Sequence, residues 1–280
     1  MIFITHNLSR LDSAPSLRNI QSTKGKQVDS ETLAKRWNID QRKALNTIKK
    51  TTQRGVRTFL HPSLARCFPT NDRMMRYKRL PHPVFDDTMA AGVVSTSQNK
   101  YAQAYCTQYG WSRVHPMRLK KHAHENLSLI FKRDGVPPKI VVDNSKEQNL
   151  GKFARKCREA YCHLFTVEHY SPWMQAAEGC IKQTKLVPSR RMLKSGSPKA
   201  LWGHCIELEV LIRSHTALDI YVLEGQVHET VMSGQTGDIS SLCEFEWFEW
   251  VMFFSRRKLT RTTKCLLADS LALQSMLALS

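Results

Sequence analysis

The first strong periodic signal in the chain begins at Asp29. Leu33, Ala34 and Trp37 recur at helical spacing, and either Asp29 or Ser30 can cap the helix they define. Asn38-Ile39-Asp40 breaks the pattern. A second helix follows, with Ala44, Leu45 and Ile48 on its apolar side and Arg42, Lys43, Lys49 and Lys50 exposed. Two short helices about a tight turn, the second basic, have the form of a helix-turn-helix; a packed spacer hairpin has the same pattern. From Pro83 the periodicity changes. Residues 84–89, 101–107 and 111–117 read as three antiparallel strands, separated by the polar turn at 95–99 and by Tyr109-Gly110.

Residues 120–132 place Ala123, Leu127 and Ile130 on one helical side. Beyond Pro137-Pro138, Ile140-Val141-Val142 is a continuous apolar run of the kind buried on both faces of a sheet. A helix at about 151–162, a strand at 164–168 and a long helix at about 174–193 follow, the last with an interruption expected at Pro188. Another helix spans about 198–218. This order describes an α/β protein with a mixed five-stranded sheet flanked by helices. The expected division is a flexible polar segment at 1–28, a basic helix-turn-helix-like region and linker at 29–82, a core at 83–222, and an acidic extension with a poorly defined tail at 223–280.

Charge adds a direction to this layout. The formal net charge is +18, and residues 1–80 alone carry seventeen Lys or Arg against five Asp or Glu. Residues 205–254 hold one Arg against nine acids. A polyanion is therefore expected at the front of the chain, with the late acidic stretch turned away from it. No run approaches eighteen apolar residues, so no membrane partner is expected. The eight cysteines form no Cys-x-x-Cys, and with no secretory leader at the start they read as reduced intracellular thiols, with no zinc site.

Three acids stand where this layout gathers ligands. Asp143 closes the apolar strand, and strand ends are where ligands collect in open α/β sheets. Its plainer role is that of a cap or turn residue. Asp86 and Asp87 point to opposite faces of their strand, so only one can join a cluster, and periodicity does not choose between them. Glu178 lies near the start of the long helix, with Lys182 and Lys185 at i+4 and i+7. A solvated Glu–Lys pair would look the same. Carboxylates of this kind can hold two Mg²⁺ or Mn²⁺ ions roughly 4 Å apart for phosphoryl transfer, with the lysines on flanking phosphates and Gln175 within reach of DNA.

Three segments carry a resemblance: Phe85-Asp86-Asp87-Thr88-Met89, then Val141 to Gln148, and Tyr170-Ser171-Pro172-Trp173-Met174-Gln175-Ala176-Ala177-Glu178-Gly179. Over about residues 80–220 the chain resembles the integrase catalytic region of copia-type LTR retrotransposons, within the retroviral-integrase and ribonuclease-H-like superfamily. The resemblance selects Asp87 over Asp86. It implies a ribonuclease-H-like fold and metal-dependent trimming of element DNA ends, followed by joining of their 3′-hydroxyls to target DNA. Asp87, Asp143 and Glu178 would hold the metals, and Lys182 and Lys185 would touch the DNA ends. A homo-oligomer working in the nucleus is implied as well. The chain departs from the family at Asn144-Ser145, where Asn-Gly is commoner, and it lacks the amino-terminal zinc module, which His61 and Cys67 do not replace. The alternatives are an inactive or domesticated transposon-derived DNA-binding protein, and a nuclease acting on RNA–DNA hybrids.

Overall fold

Residues 18–19, 27–54, 77–143, 148, 151–167, 174–219, 221–252 and 263–264 are described in the structure, a computed structural model. For 18–19, 174–178, 222, 250–252 and 263–264 the description is of the backbone alone. Most of the expected basic linker, at 55–76, lies outside the described residues.

Two aspartates set the helices at the front of the chain. The Asp29 carboxylate accepts from the Thr32 amide and starts α1 (Ser30–Trp37); Asp40 accepts from the Arg42 amide and starts α2 (Gln41–Lys50). Between them Asn38 takes the left-handed conformation that ends a helix, with φ 55°. Leu33, Trp37 and Ala44 are buried as the periodicity predicts. Leu45 is not: it is 42% exposed, and Thr47 is buried in its place. The Thr47 hydroxyl donates to the Lys43 carbonyl and accepts from the Ala217 amide, so a polar side chain is satisfied where an apolar one was expected.

The sheet is built from β1 (Val84–Ala90), β2 (Tyr101–Cys106), β3 (Ser112–Met117), β4 (Lys139–Val142) and β5 (His163–Thr166). Its order is β3-β2-β1-β4-β5. The first three strands are antiparallel neighbours; β4 runs parallel to β1, and β5 parallel to β4. The parallel pairs need crossovers, supplied by α3 (Ala123–Arg133) and α4 (Gly151–Glu159). This is a ribonuclease-H-like α/β architecture. Gly135 makes the entry to β4 possible, since its φ is +127° and a Cβ there would lie 2.6 Å from the Lys78 carbonyl oxygen.

Alternation along the strands fills two cores. Val84, Tyr105, Ile140 and Val142 pack against Leu127 and Ile130 of α3 and Phe153 and Cys157 of α4. On the other face Phe85, Met89, Ala102, Ala104 and Val141 meet Cys180 and Ile181 of α5 (Met174–Ser195) and Ile206 and Val210 of α6 (Trp202–His215). Pro188 does not interrupt α5, contrary to expectation. It falls on the stripe Ile181, Thr184, Pro188, Met192 that α5 buries, and that packing offsets a local cost of about 3 kcal/mol.

A third core joins α1 and α2 to the region between Met192 and Trp247. Leu33, Trp37 and Ala44 pack with Met192 of α5, with Cys205, Leu208 and Ile212 of α6, and with Ile239, Cys243, Phe245 and Trp247. Arg191 fixes the joint, donating to the carbonyls of Arg36 (2.9 Å) and Trp37 (2.7 Å) while pairing with buried Glu209. A second buried cation, Arg113, pairs with Asp134 (2.9 Å) and Glu229 (2.6 Å). Two acids of the late acidic stretch therefore balance internal arginines. Among the described residues no helix is long and apolar enough to cross a membrane.

Candidate functional site

β1 and β4 bring two of the predicted acids together. Their parallel register pairs Phe85 with Val141 and Asp86 with Val142, and one further step sets Asp87 opposite Asp143, just past the end of β4. Residues paired in this way share a face of the sheet. Asp143 is partly exposed, as is Asp87. Burial pushes the Asp87 carboxyl above its ordinary value. The Thr88 amide, donating at 2.7 Å, pulls it back, Asp143 raises it again, and Lys185 and Lys120 lower it. The Asp143 and Lys185 contributions place both charges within electrostatic reach of Asp87.

Asp86 has a different place. It is 4% exposed and takes hydrogen bonds from two buried glutamines, Gln103 of β2 (2.5 Å) and Gln148 (3.1 Å). Burial drives its carboxyl well above the usual range, those two bonds oppose the shift, and neighbouring Asp87 adds to it. Periodicity left the choice between the two acids open; the structure sets Asp87 on the face of Asp143 and Asp86 in the opposite core.

Glu178 lies on the second turn of α5, and its side chain is outside the described residues, as is that of Gln175. Its backbone position is one turn before Lys182 and two before Lys185, on one side of the helix. Cys180 and Ile181, next along the chain, pack beside Val141 and Met89, so this part of α5 lies over the strands that carry the acids. Lys182 and Lys185 are exposed. Arg42, Lys43, Lys49 and Lys50 of α2 are exposed too, Arg42 facing Asp219 at 3.7 Å across solvent. Among the described residues no three His, Cys, Asp or Glu side chains gather to hold a metal ion. The six described cysteines are free and buried.

Several neighbours of the site carry no mark of that role in the sequence. Lys120 follows β3, and its charge lowers the Asp87 carboxyl. Gln103 alternates correctly for a buried strand position, yet nothing in its surroundings along the chain marks it as the partner of Asp86. Gln148 lies inside the Val141 to Gln148 segment with no local sign of burial.

No protein-family model and no curated protein matches the chain. Among solved structures it is similar to the catalytic core domain of BIV integrase, with a TM-score of 0.44 and 11% identity over 54% of this chain and 93% of that one. Strand order and register, rather than that likeness, carry the fold. On its own topology the chain has a ribonuclease-H-like α/β architecture.

Proposed function

We propose that the chain is a metal-dependent polynucleotidyl transferase of the integrase kind, which trims DNA 3′ ends and joins them to a second DNA. The observation that carries the reading is the pair Asp87 and Asp143. Two carboxylates from neighbouring parallel strands share one face, and their mutual repulsion helps raise the Asp87 carboxyl. A cation between them would remove that repulsion, and hard oxygen donors on a partly exposed strand end suit Mg²⁺ or Mn²⁺. Asp87, Asp143 and Glu178 would hold the ions, which when bound polarise the phosphodiester and lower the pKa of the attacking water or 3′-hydroxyl. Lys182, Lys185 and Gln175 would steady the phosphates of the DNA end. Arg42, Lys43, Lys49 and Lys50 of α2 supply sequence-independent attraction further away. The reading includes a homo-oligomer acting in the nucleus.

The exposed cations of α2 equally favour simple DNA association, and the test separates the two. Purified protein and its Asp143→Asn variant are incubated with labelled duplex ends and Mn²⁺. The expected result is a shortened 3′ strand and joined products from the unaltered protein and neither from the variant, while salt-sensitive DNA binding persists in both. Identical behaviour of the two folded proteins would leave only the binding role.

A further inference from the structure

The β5 edge of the sheet leaves two aromatic rings in solvent. Phe165 of β5 is 49% exposed, and Tyr161, just before the strand, 61%. Register places the first of them. Phe165 pairs with Val141 and His163 with Lys139, so these four share the face on which Phe85 and Asp87 of β1 lie. Cys180 of α5 packs there with Phe85, Val141 and Val167, and that cover stops short of His163 and Phe165, which are exposed. The other face of β5 is ordinary, with Leu164 packed into the core beneath α3 and α4.

Each aromatic residue has a cation beside it. The Lys139 ammonium lies 3.7 Å from the Phe165 ring centroid, and the Arg79 guanidinium donates to the Tyr161 carbonyl at 3.4 Å. Aromatic rings open to water at a sheet edge add little to the fold and invite self-association. Flanked by cations, they are complementary to one class of ligand. Unpaired bases stack on such rings, while the phosphates that link them meet the positive charges. A duplex keeps its base faces stacked on one another and has none to offer.

We infer that the β5 edge binds single-stranded DNA, its bases stacked on Phe165 and Tyr161 and its phosphates met by Lys139 and Arg79. That the strand is one freed at a DNA end being trimmed rests on the function proposed above. His163, exposed on the same face two residues before Phe165, widens the platform.

The test measures binding of labelled oligothymidylate and of a labelled duplex, without metal and at one fixed salt concentration. The unaltered protein is compared with Phe165→Ala, Phe165→Leu and Phe165→Trp, and sedimentation velocity is run on each. Phe165→Ala and Phe165→Leu should each weaken oligothymidylate binding by roughly tenfold and leave duplex binding unchanged, while Phe165→Trp keeps the single-strand affinity. Leu is apolar but has no ring, so its loss separates stacking from simple burial. Unchanged oligothymidylate binding in Phe165→Ala overturns the inference, as does a loss shared equally by the duplex. A dimer of the unaltered protein that Phe165→Ala dissolves, with oligothymidylate binding unmoved, would assign the rings to a second copy instead. If Asp143→Asn trims DNA in Mn²⁺ as the unaltered protein does, the proposed reaction falls, and the metal-free binding still decides the platform.

Discussion

Asp86 and Asp87 stand one peptide apart on β1 and lead opposite lives. Asp86 is sealed in a core, its two oxygens taken by neutral amides. Asp87 is partly exposed on the other face, with another carboxylate and two lysines acting on it. Burial raises both carboxyls, so it does not tell them apart. The neighbours do. Amide donors make an acid a structural tie, whereas on the proposed function a second acid at the mouth of a parallel strand pair would make it a seat for a cation.

The largest effect should come from exchanging roles. Asp87→Asn is expected to lower metal-dependent strand cleavage by on the order of 10³-fold or more, read on labelled duplex in Mn²⁺, with the protein still folded. Comparable activity in that variant would erase the distinction between the two faces. Asp86→Ala should do the reverse to stability. It strands two buried amide donors, each costing about 1–3 kcal/mol, and a urea titration should show the loss.

A smaller difference concerns pH. A carboxyl raised on folding adds stability below its unfolded pKa and loses that contribution as pH rises through its folded value. Asp87 is raised, so without metal the unaltered protein should lose ground to Asp87→Asn on moving from pH 4 to pH 8. The gap in thermal midpoint should be a few °C, since about 1 kcal/mol moves it by about 2–4 °C in a domain of this size. A gap that shrinks with rising pH would contradict an Asp87 carboxyl raised by burial and by Asp143. The smallest effect is expected from Lys185→Ala. One exposed phosphate contact fewer should reduce the salt slope of DNA binding by about 0.9 and leave the thermal midpoint unmoved.

Local pattern carried the five strands and their helices, because alternation and helical spacing are properties of neighbouring residues. It also placed Asp143 at a strand end, since an apolar run that stops at an acid is visible in the chain itself. The choice between Asp86 and Asp87 was not legible in this way. Period-two alternation says that they face apart, and only the register with β4 says which one faces Asp143. Pro188 misled for a related reason: its intrinsic helix-breaking cost is local, while its burial depends on residues elsewhere in the chain, among them Cys205 of α6, whose thiol donates to the Pro188 carbonyl. Nothing along the chain marks Glu209 and Glu229 as internal ion-pair partners, because Arg191 and Arg113 lie eighteen and 116 residues away.

The joint at Arg191 bears on how the molecule can be divided. Trp37 and Leu33 cover Met192, Cys205, Leu208 and Ile212, and the guanidinium of Arg191 is anchored on the last turn of α1. A shortened version beginning at β1 would therefore lay bare a greasy scar on its two longest helices and strand a cation's donors. Anyone trimming the polypeptide to a minimal sheet should expect clumping rather than a smaller working unit, and retaining 27–54 should keep the preparation in solution.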